Sequence, residues 1–119
     1  MAYHPKEARW SPPPLAPGEI TYRDAAALES TIWVDARKDE VFEKGSYPEA
    51  INLNHDNFEN QLPELLGFWQ PGDVVVVFCD SLSCDESHLI ADRLRGEVGL
   101  EDVLVLYGGW SSMKKGLGR

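Results

Sequence analysis

The sequence contains two cysteines, Cys79 and Cys84, and these are the side chains best suited to covalent chemistry. Cys79 directly follows Val74–Phe78, an uninterrupted β-branched and aromatic run that predicts a buried parallel strand. Ligands of open α/β sheets bind beyond the carboxyl ends of the strands, and Cys79 is expected at such an end. A single Cys-x4-Cys pair cannot complete a tetrahedral structural zinc site, so we expect thiol chemistry that requires no metal or organic cofactor.

The loop of residues 79–85 leads from this strand into a predicted helix. Its backbone N–H groups, together with the helix N-terminus, are expected to converge above Cys79 and to stabilise a thiolate, a persulfide anion or an oxyanion. A helix N-terminus can lower the pKa of a cysteine from about 8.5 to between roughly 3.5 and 7.5. The alternative is that Cys79 is a small buried residue that ends a core strand, and its placement alone leaves both interpretations open.

Cys84 has three interpretations: an inert thiol, a partner that resolves a Cys79 persulfide into an internal disulfide, or the primary nucleophile. His88 follows one helical turn later, where an imidazolium would stabilise a thiolate, although a solvent-facing histidine without a role is the commoner outcome. His55 stands apart from these residues in the sequence and is assigned no role. The residues predicted to contact substrate around the two cysteines are Asp80, Ser81, Leu82, Ser83, Asp85 and His88.

Signals for strands and helices alternate along most of the chain. Strands are predicted at residues 31–35, 50–53, 74–78 and 103–107, and helices near residues 21–28, 38–42, 58–66, 85–95 and 110–115. Pro63 predicts that the third of these helices is divided into two short pieces. The alternation indicates an α/β fold with an open, mostly parallel twisted sheet and helices on both faces.

The first eighteen residues contain five of the eight prolines and show no apolar periodicity. We therefore expect an arm or linker at residues 1–18 and one folded domain at residues 19–119. The net charge of −9 makes nucleic acid and anionic lipid poor partners. The sequence has neither an apolar run of about 18 residues nor the apolar core of a signal peptide, which predicts a cytoplasmic protein without membrane contact.

Five segments carry a recognisable order of residue types. Residues 34–37 read Val-Asp-Ala-Arg, residues 40–42 read Glu-Val-Phe, residues 45–53 read Gly-Ser-Tyr-Pro-Glu-Ala-Ile-Asn-Leu, residues 75–79 read Val-Val-Val-Phe-Cys, and residues 105–110 read Val-Leu-Tyr-Gly-Gly-Trp. In this order they resemble the single-domain rhodaneses, a family of sulfurtransferases, over about residues 20–113.

The resemblance implies a rhodanese-like fold and the transfer of sulfur through a persulfide on Cys79. The donor would be a small-molecule or protein persulfide, the acceptor a thiol or another nucleophile, and no cofactor would be needed. Two alternatives are a catalytically silent protein-binding module and a redox switch formed by Cys79 and Cys84. The resemblance also implies structural roles near the site for Asp35, Arg37, Gly108, Gly109 and Trp110.

Several positions depart from the rhodanese pattern. Ser46 stands where the family prefers His, Tyr47 where it prefers Ile, Glu49 where it prefers Gly, and Met113 where a Trp is common. The loop after Cys79 contains no Lys or Arg, so thiosulfate, a dianion, is predicted to be a poor donor unless Arg37, Arg93 or another distant cation reaches the cysteine. The Cys-x5-Arg pattern of the related phosphatases is excluded, because the sixth position after Cys79 is Asp85.

Overall fold

Among the residues that the computed structural model describes, 15–80 and 85–116, five strands form one parallel sheet. Their order across the sheet is β1-β5-β4-β2-β3, and every neighbouring pair is parallel. The open parallel α/β sheet expected from the sequence is therefore confirmed. The strands are β1 (Glu19–Ile20), β2 (Thr31–Asp35), β3 (Ile51–Asn52), β4 (Val74–Phe78) and β5 (Val103–Leu106).

Helices connect the strands and cover the sheet. Thr21 Oγ1 accepts a hydrogen bond from the Asp24 N–H at 3.2 Å, so the first helix begins with the side-chain cap expected from its sequence. The fourth helix continues into a π-helical turn, Leu94–Val98, which ends at Gly99 in the left-handed conformation. The helices are α1 (Tyr22–Ala26), α2 (Asp39–Lys44), α3 (Phe58–Phe68), α4 (Glu86–Arg93) and α5 (Gly109–Gly116).

Strand β4 supplies the core on both faces of the sheet. Val75 and Val77 pack on one face with residues of α3 and α4, whereas Val76 and Phe78 pack on the other face with residues of α1 and α5. All four side chains are completely buried. The strand lies between two layers of helices, which explains why all of its residues are hydrophobic instead of alternating with polar ones. The same packing fixes the carboxyl end of β4, which Cys79 follows.

Helix α3 corrects one expectation, because Phe58–Phe68 is a single helix with Pro63 inside it. Proline removes one backbone donor and crowds the preceding turn, which disfavours a helix interior. Phe58 and Leu65 are nevertheless buried in the same core cluster, and Leu62 packs against it. Burial of this shared face stabilises the continuous helix more than the missing hydrogen bond destabilises it.

Strand β1 was not predicted from the sequence. It contains only two residues, too few to show any apolar periodicity. It becomes a strand because Glu19 and Ile20 pair in register with Val105 and Leu106 of β5. Tertiary pairing therefore determines this edge of the sheet.

Glu49 adopts a backbone conformation that favours glycine, with φ at 69°. A left-handed conformation costs a side-chain-bearing L-residue about 1–2 kcal/mol, and the Glu49 side chain forms no hydrogen bond or ion pair with a described residue that would offset this cost. We expect Glu49→Gly to raise the free energy of unfolding by about 0.5–1 kcal/mol, measured by urea denaturation. Glu43→Gly, on the exposed side of α2, is the matched control and should lower it by about 1 kcal/mol. A lower urea midpoint for Glu49→Gly would contradict the prediction.

Candidate active site

Cys79 directly follows β4 at the carboxyl edge of the sheet and lines a cavity of about 280 Å³. The residue itself is only 3% exposed, and among the described residues this cavity is the opening that reaches it. Charged side chains stand beside apolar ones in the cavity wall. Its charged or titratable residues among those described are Arg37, Lys38, His55, Asp56, Asp80 and Glu86.

Cys79 is disulfide-bonded in the structure. The sequence contains one other cysteine, Cys84, which lies outside the described residues together with Ser81, Leu82 and Ser83. The predicted cradle of backbone N–H groups in residues 79–85 thus falls largely outside the described residues. Chemistry at the Cys79 thiol requires that the disulfide first be reduced.

The first turn of α5 holds the backbone that carries Cys79. The Trp110 N–H donates to the Cys79 carbonyl at 2.6 Å, and the Ser111 N–H donates to the Asp80 carbonyl at 3.0 Å. The Trp110 ring stacks on Phe78, with ring centroids 6.1 Å apart. The first amides of this helix, which lack partners within the helix, are therefore used to position the cysteine.

Gly108 and Gly109 form the tight turn that brings α5 to this place. Their φ angles are 82° and 57°, a region that glycine enters without steric cost. A Cβ atom on Gly108 would lie 2.8 Å from the Cβ of Ser112, so glycine is also required there by space. The two glycines act on Cys79 through the backbone, because their turn aims the amides of α5 at its carbonyl.

A buried ion pair joins the end of β2 to the cavity wall. Asp35 is completely buried, and its carboxylate accepts hydrogen bonds from the Arg37 guanidinium at 2.6–3.1 Å and from the Arg37 backbone N–H at 2.9 Å. Arg37 also donates to the Gly45 carbonyl at 2.8 Å. Ser46, which replaces the histidine of the rhodanese pattern, donates its hydroxyl to Asp35 at 2.6 Å. This network fixes the loop after β2 against the loop before β3.

Arg37 connects that network to the loop after Cys79. Its Nη1 lies 3.5 Å from the carboxylate of Asp80, and its guanidinium lies 5.2 Å from the centre of the Trp110 ring. Burial opposes its charge, but the hydrogen bond and charge of Asp35, assisted by Asp80, raise the pKa of Arg37. Arg37 is thus the distant cation that reaches the cavity, although two carboxylates already offset its charge.

Asparagines supply a second layer of contacts beneath the cavity, and the sequence analysis did not single them out. Asn52 Nδ2 donates to the carbonyls of Asp35 and Arg37, both at 3.0 Å. Asn54 Nδ2 donates to the Arg37 carbonyl at 3.1 Å and to Asp39 at 2.6 Å. The alternation Ile-Asn-Leu-Asn at residues 51–54 could have predicted this role. A side-chain amide beside a short buried strand usually forms hydrogen bonds with backbone groups.

Asp39 is held in its charged form by side-chain amides. Hydrogen bonds from Asn54, then Gln61 and Asn57, lower the pKa of Asp39 below its usual value near 3.9. A carboxylate with a lowered pKa contributes stability above its unfolded-state pKa, and this contribution is lost as the pH falls through its folded-state pKa. We expect Asp39→Asn to lower the free energy of unfolding at pH 7, with a difference from the wild type that shrinks below about pH 4. Urea denaturation across this range measures it, and a difference independent of pH would contradict the assignment.

Three residues considered in the sequence analysis are not among the residues that line the cavity. His88 is about half exposed, and its Nε2 lies 3.2 Å from Glu19 rather than at the cavity. Asp85 precedes α4 without a side-chain capping bond and does not line the cavity. Arg93 pairs with Glu97 at 2.9 Å and lies over the Phe58 ring.

The structure instead brings Lys38, His55, Asp56 and Glu86 to the cavity, and the sequence analysis assigned none of them to it. These residues come from the loops after β2 and β3 and from the first turn of α4. Their approach depends on the strand order, which places β2 between β3 and β4. These residues could have been predicted, because each of their loops follows a predicted strand. The carboxyl ends of parallel strands meet at one edge of the sheet, where ligands bind.

A larger groove of about 810 Å³ lies beside the amino-terminal half of β2 and the chain leading into β3. Its wall contains Thr31, Trp33, Glu49 and Phe68, and it contains neither Cys79 nor any predicted site residue. Within the described part of the chain, no three His, Cys, Asp or Glu side chains are grouped as metal ligands. We therefore assign the candidate active site to the smaller cavity, which contains the nucleophile.

Together, the parallel sheet and the cysteine that follows its central strand define an α/β domain with a thiol site at the carboxyl edge. A model of the rhodanese-like domain matches residues 21–115, and the chain belongs to this family. The search of curated proteins returned no match. None of the helices in residues 15–80 and 85–116 is both long and apolar enough to cross a membrane.

Solved structures share the fold at low sequence identity. The BH2092 protein of Bacillus halodurans is 21% identical, with a TM-score of 0.66, and the match covers 83% of this chain and 72% of that one. A rhodanese-related protein of Thermoplasma volcanium is 19% identical, with a TM-score of 0.58 and coverage of 82% and 92%. The N-terminal domain of a Clostridium difficile 630 protein described as ATP/GTP-binding is 18% identical, with a TM-score of 0.59 and coverage of 84% and 98%.

Proposed function

We propose that this protein is a sulfurtransferase that carries sulfane sulfur as a persulfide on Cys79. The observation that carries the proposal is the position of Cys79, which lines a cavity with charged residues in its wall at the carboxyl edge of the sheet, while its backbone is held by α5. Membership of the rhodanese-like family supports the reaction type.

The reaction has two balanced steps. The reduced Cys79 thiolate attacks the outer sulfur of a persulfide donor, the donor S–S bond breaks, and the donor leaves as a thiolate while Cys79 becomes a persulfide. An acceptor thiolate then attacks the outer sulfur of the Cys79 persulfide and restores the Cys79 thiolate. The transferred sulfur undergoes no net oxidation or reduction, so no cofactor is required.

The residues of this chain would position the nucleophile and control access to it. The amides of Trp110 and Ser111 hold the carbonyls of Cys79 and Asp80, which fixes the start of the loop. Arg37 is held by Asp35 and places a positive charge in the cavity wall. A cation near the sulfur stabilises both the thiolate and the persulfide anion.

Thiosulfate is expected to be a poorer donor than a persulfide. Lys38 is the cation of the cavity wall without an ion pair among the described residues, whereas Asp56, Asp80 and Glu86 all contribute negative charge. A dianion is therefore repelled more than a monoanion or a neutral donor. Steady-state kinetics with cyanide as acceptor should give a kcat/KM for thiosulfate well below that for a small persulfide. Efficient turnover of thiosulfate at low concentration would contradict this expectation.

Intact-mass spectrometry tests the proposal itself. Reduced protein treated with a small persulfide should gain the mass of one sulfur, and Cys79→Ser should gain none. Cys84→Ser is the matched control, because it removes the other thiol and should still gain sulfur. Sulfur on Cys79→Ser but not on Cys84→Ser would assign the persulfide to Cys84, and no gain in any protein would indicate a silent module.

A second candidate function is favoured by the disulfide-bonded state of Cys79. In this alternative, Cys79 and Cys84 form a reversible dithiol switch, and an oxidant removes two electrons and two protons from them. The same mass measurement separates the two functions, because the switch loses the mass of two hydrogens under mild oxidant. Loss of two hydrogens without any sulfur gain from persulfide donors would favour the switch.

A further inference from the structure

The cavity beside Cys79 contains charges of both signs that the described residues do not neutralise. Lys38, Asp56 and Glu86 are exposed, line the cavity and form no ion pair with any residue in 15–80 or 85–116. By contrast, Arg37 is paired with Asp35 at 2.6 Å and with Asp80 at 3.5 Å. The charges available to a ligand are therefore one cation and two carboxylates.

Different loops bring these charges to the cavity that Cys79 lines. Lys38 comes from the loop after β2, Asp56 from the loop after β3, and Glu86 from the first turn of α4, which follows the Cys79 loop. The four residues 81–84 are Ser-Leu-Ser-Cys and add no Lys, Arg, Asp or Glu. Residues 81–84 therefore add no fixed charge to this balance.

The size of the cavity limits the ligand to a small molecule. Its volume of about 280 Å³ lies just below the range for sites that bind drug-sized ligands, which begins near roughly 300 Å³. A compact ligand with one negative and one positive group would satisfy Lys38 and a carboxylate at the same time. A dianion would satisfy only the cation, and a monocation only the acids.

We propose, on the basis of the sulfurtransferase function above, that this cavity binds an amino-acid persulfide as the sulfur donor. Lys38 binds the donor's carboxylate, and Asp56 and Glu86 bind its ammonium group. The outer sulfur is thereby presented to Cys79, and the amino-acid thiolate leaves. Selection comes from pairing both charges of the donor, so a donor that lacks either group binds less well.

The test compares four donors on the reduced full chain: the persulfides of cysteine, cysteamine and 3-mercaptopropionate, and thiosulfate. Cysteamine lacks the carboxylate and 3-mercaptopropionate lacks the ammonium group. Sulfur gain is followed by intact mass, and each rate is divided by the rate of the same donor with a free small-molecule thiol, so that intrinsic reactivity cancels. We expect the cysteine persulfide to react about threefold to fivefold faster than either truncated persulfide, with a difference that shrinks at high salt.

Variants assign each charge to its residue. Lys38→Met should remove the preference for a carboxylate, so that the cysteine and cysteamine persulfides react at equal normalised rates, whereas Asp56→Asn and Glu86→Gln should reduce the preference for an ammonium group. Lys44→Met and Glu43→Gln, exposed positions on α2 outside the cavity, are the matched controls and should retain both preferences. Equal normalised rates for the three persulfides, or a faster reaction with thiosulfate, would overturn this inference and leave the sulfurtransferase function standing. No sulfur gain from any donor would instead overturn the function on which the inference rests.

Discussion

Replacing Asp35 with asparagine is expected to lower the free energy of unfolding by about 3–5 kcal/mol. The Asp35 carboxylate is completely buried and provides the closest countercharge to Arg37, which is itself only 5% exposed. Asparagine preserves the shape of the side chain but removes the charge. The guanidinium would then retain only Asp80, at 3.5 Å and largely exposed to solvent. An uncompensated buried charge is the costly outcome, more so than the loss of a single hydrogen bond.

A double variant separates the charge effect from general damage to the fold. Asp35→Asn combined with Arg37→Met removes both charges, so it should be less destabilised than the sum of the two single variants. Glu97→Gln interrupts the exposed pair with Arg93 and is the matched control, for which we expect no measurable change in the urea midpoint. If Asp35→Asn unfolds at the wild-type midpoint, the buried pair does not stabilise the domain.

Gly108→Ala should lower the free energy of unfolding by about 2–4 kcal/mol, because two costs coincide at this residue. The positive φ of 82° disfavours alanine, and the new Cβ would lie 2.8 Å from the Ser112 Cβ on the next turn of α5. Gly99→Ala isolates the first cost, since its φ of 85° is similar and nothing lies within 4 Å of a Cβ there. We expect a loss of about 1–2 kcal/mol for Gly99→Ala, measured by the same urea titration. Equal losses in the two variants would show that the contact with Ser112 is relieved at no cost.

Gly108→Ala should also change the chemistry of the site. A displaced α5 no longer aims the amides of Trp110 and Ser111 at the carbonyls of Cys79 and Asp80. We expect slower gain of sulfur on Cys79 under conditions where the variant remains folded, whereas Gly99→Ala should react at the wild-type rate. This comparison distinguishes a positioning effect from a loss of folded protein.

The central part of the fold was predictable from local patterns. Val74–Phe78 contains only apolar residues, because the strand is covered on both faces, and it ends directly at Cys79. The glycine pair at 108–109 was recognisable because a turn with positive φ restricts the residue type. In both cases, the physical requirement restricts the types of residues that are adjacent in the chain. A short segment of sequence is therefore enough to predict the structure.

The cavity wall was less predictable, because it depends on which strands are neighbours. Lys38 and His55 are separated by β3 in the sequence but meet at one cavity, since β2 and β3 pair at Val34–Ile51 and Asp35–Asn52. Pro63 was misleading for a related reason. Its local cost is outweighed by the burial of α3 against strands that are distant in the sequence.

The charged residues of the cavity wall and the helix that positions Cys79, α5, lie in separate parts of the chain. Every charged residue in the cavity wall precedes residue 87, so a chain ending before α5 would retain the entire set together with all five strands. Such a fragment would lack Trp110 and Ser111, whose amides hold the peptide units of Cys79 and Asp80 in place. A chain shortened in this way could keep all of the reactive groups and still transfer sulfur slowly. The reason is that α5 positions the Cys79 backbone but contributes no reactive group.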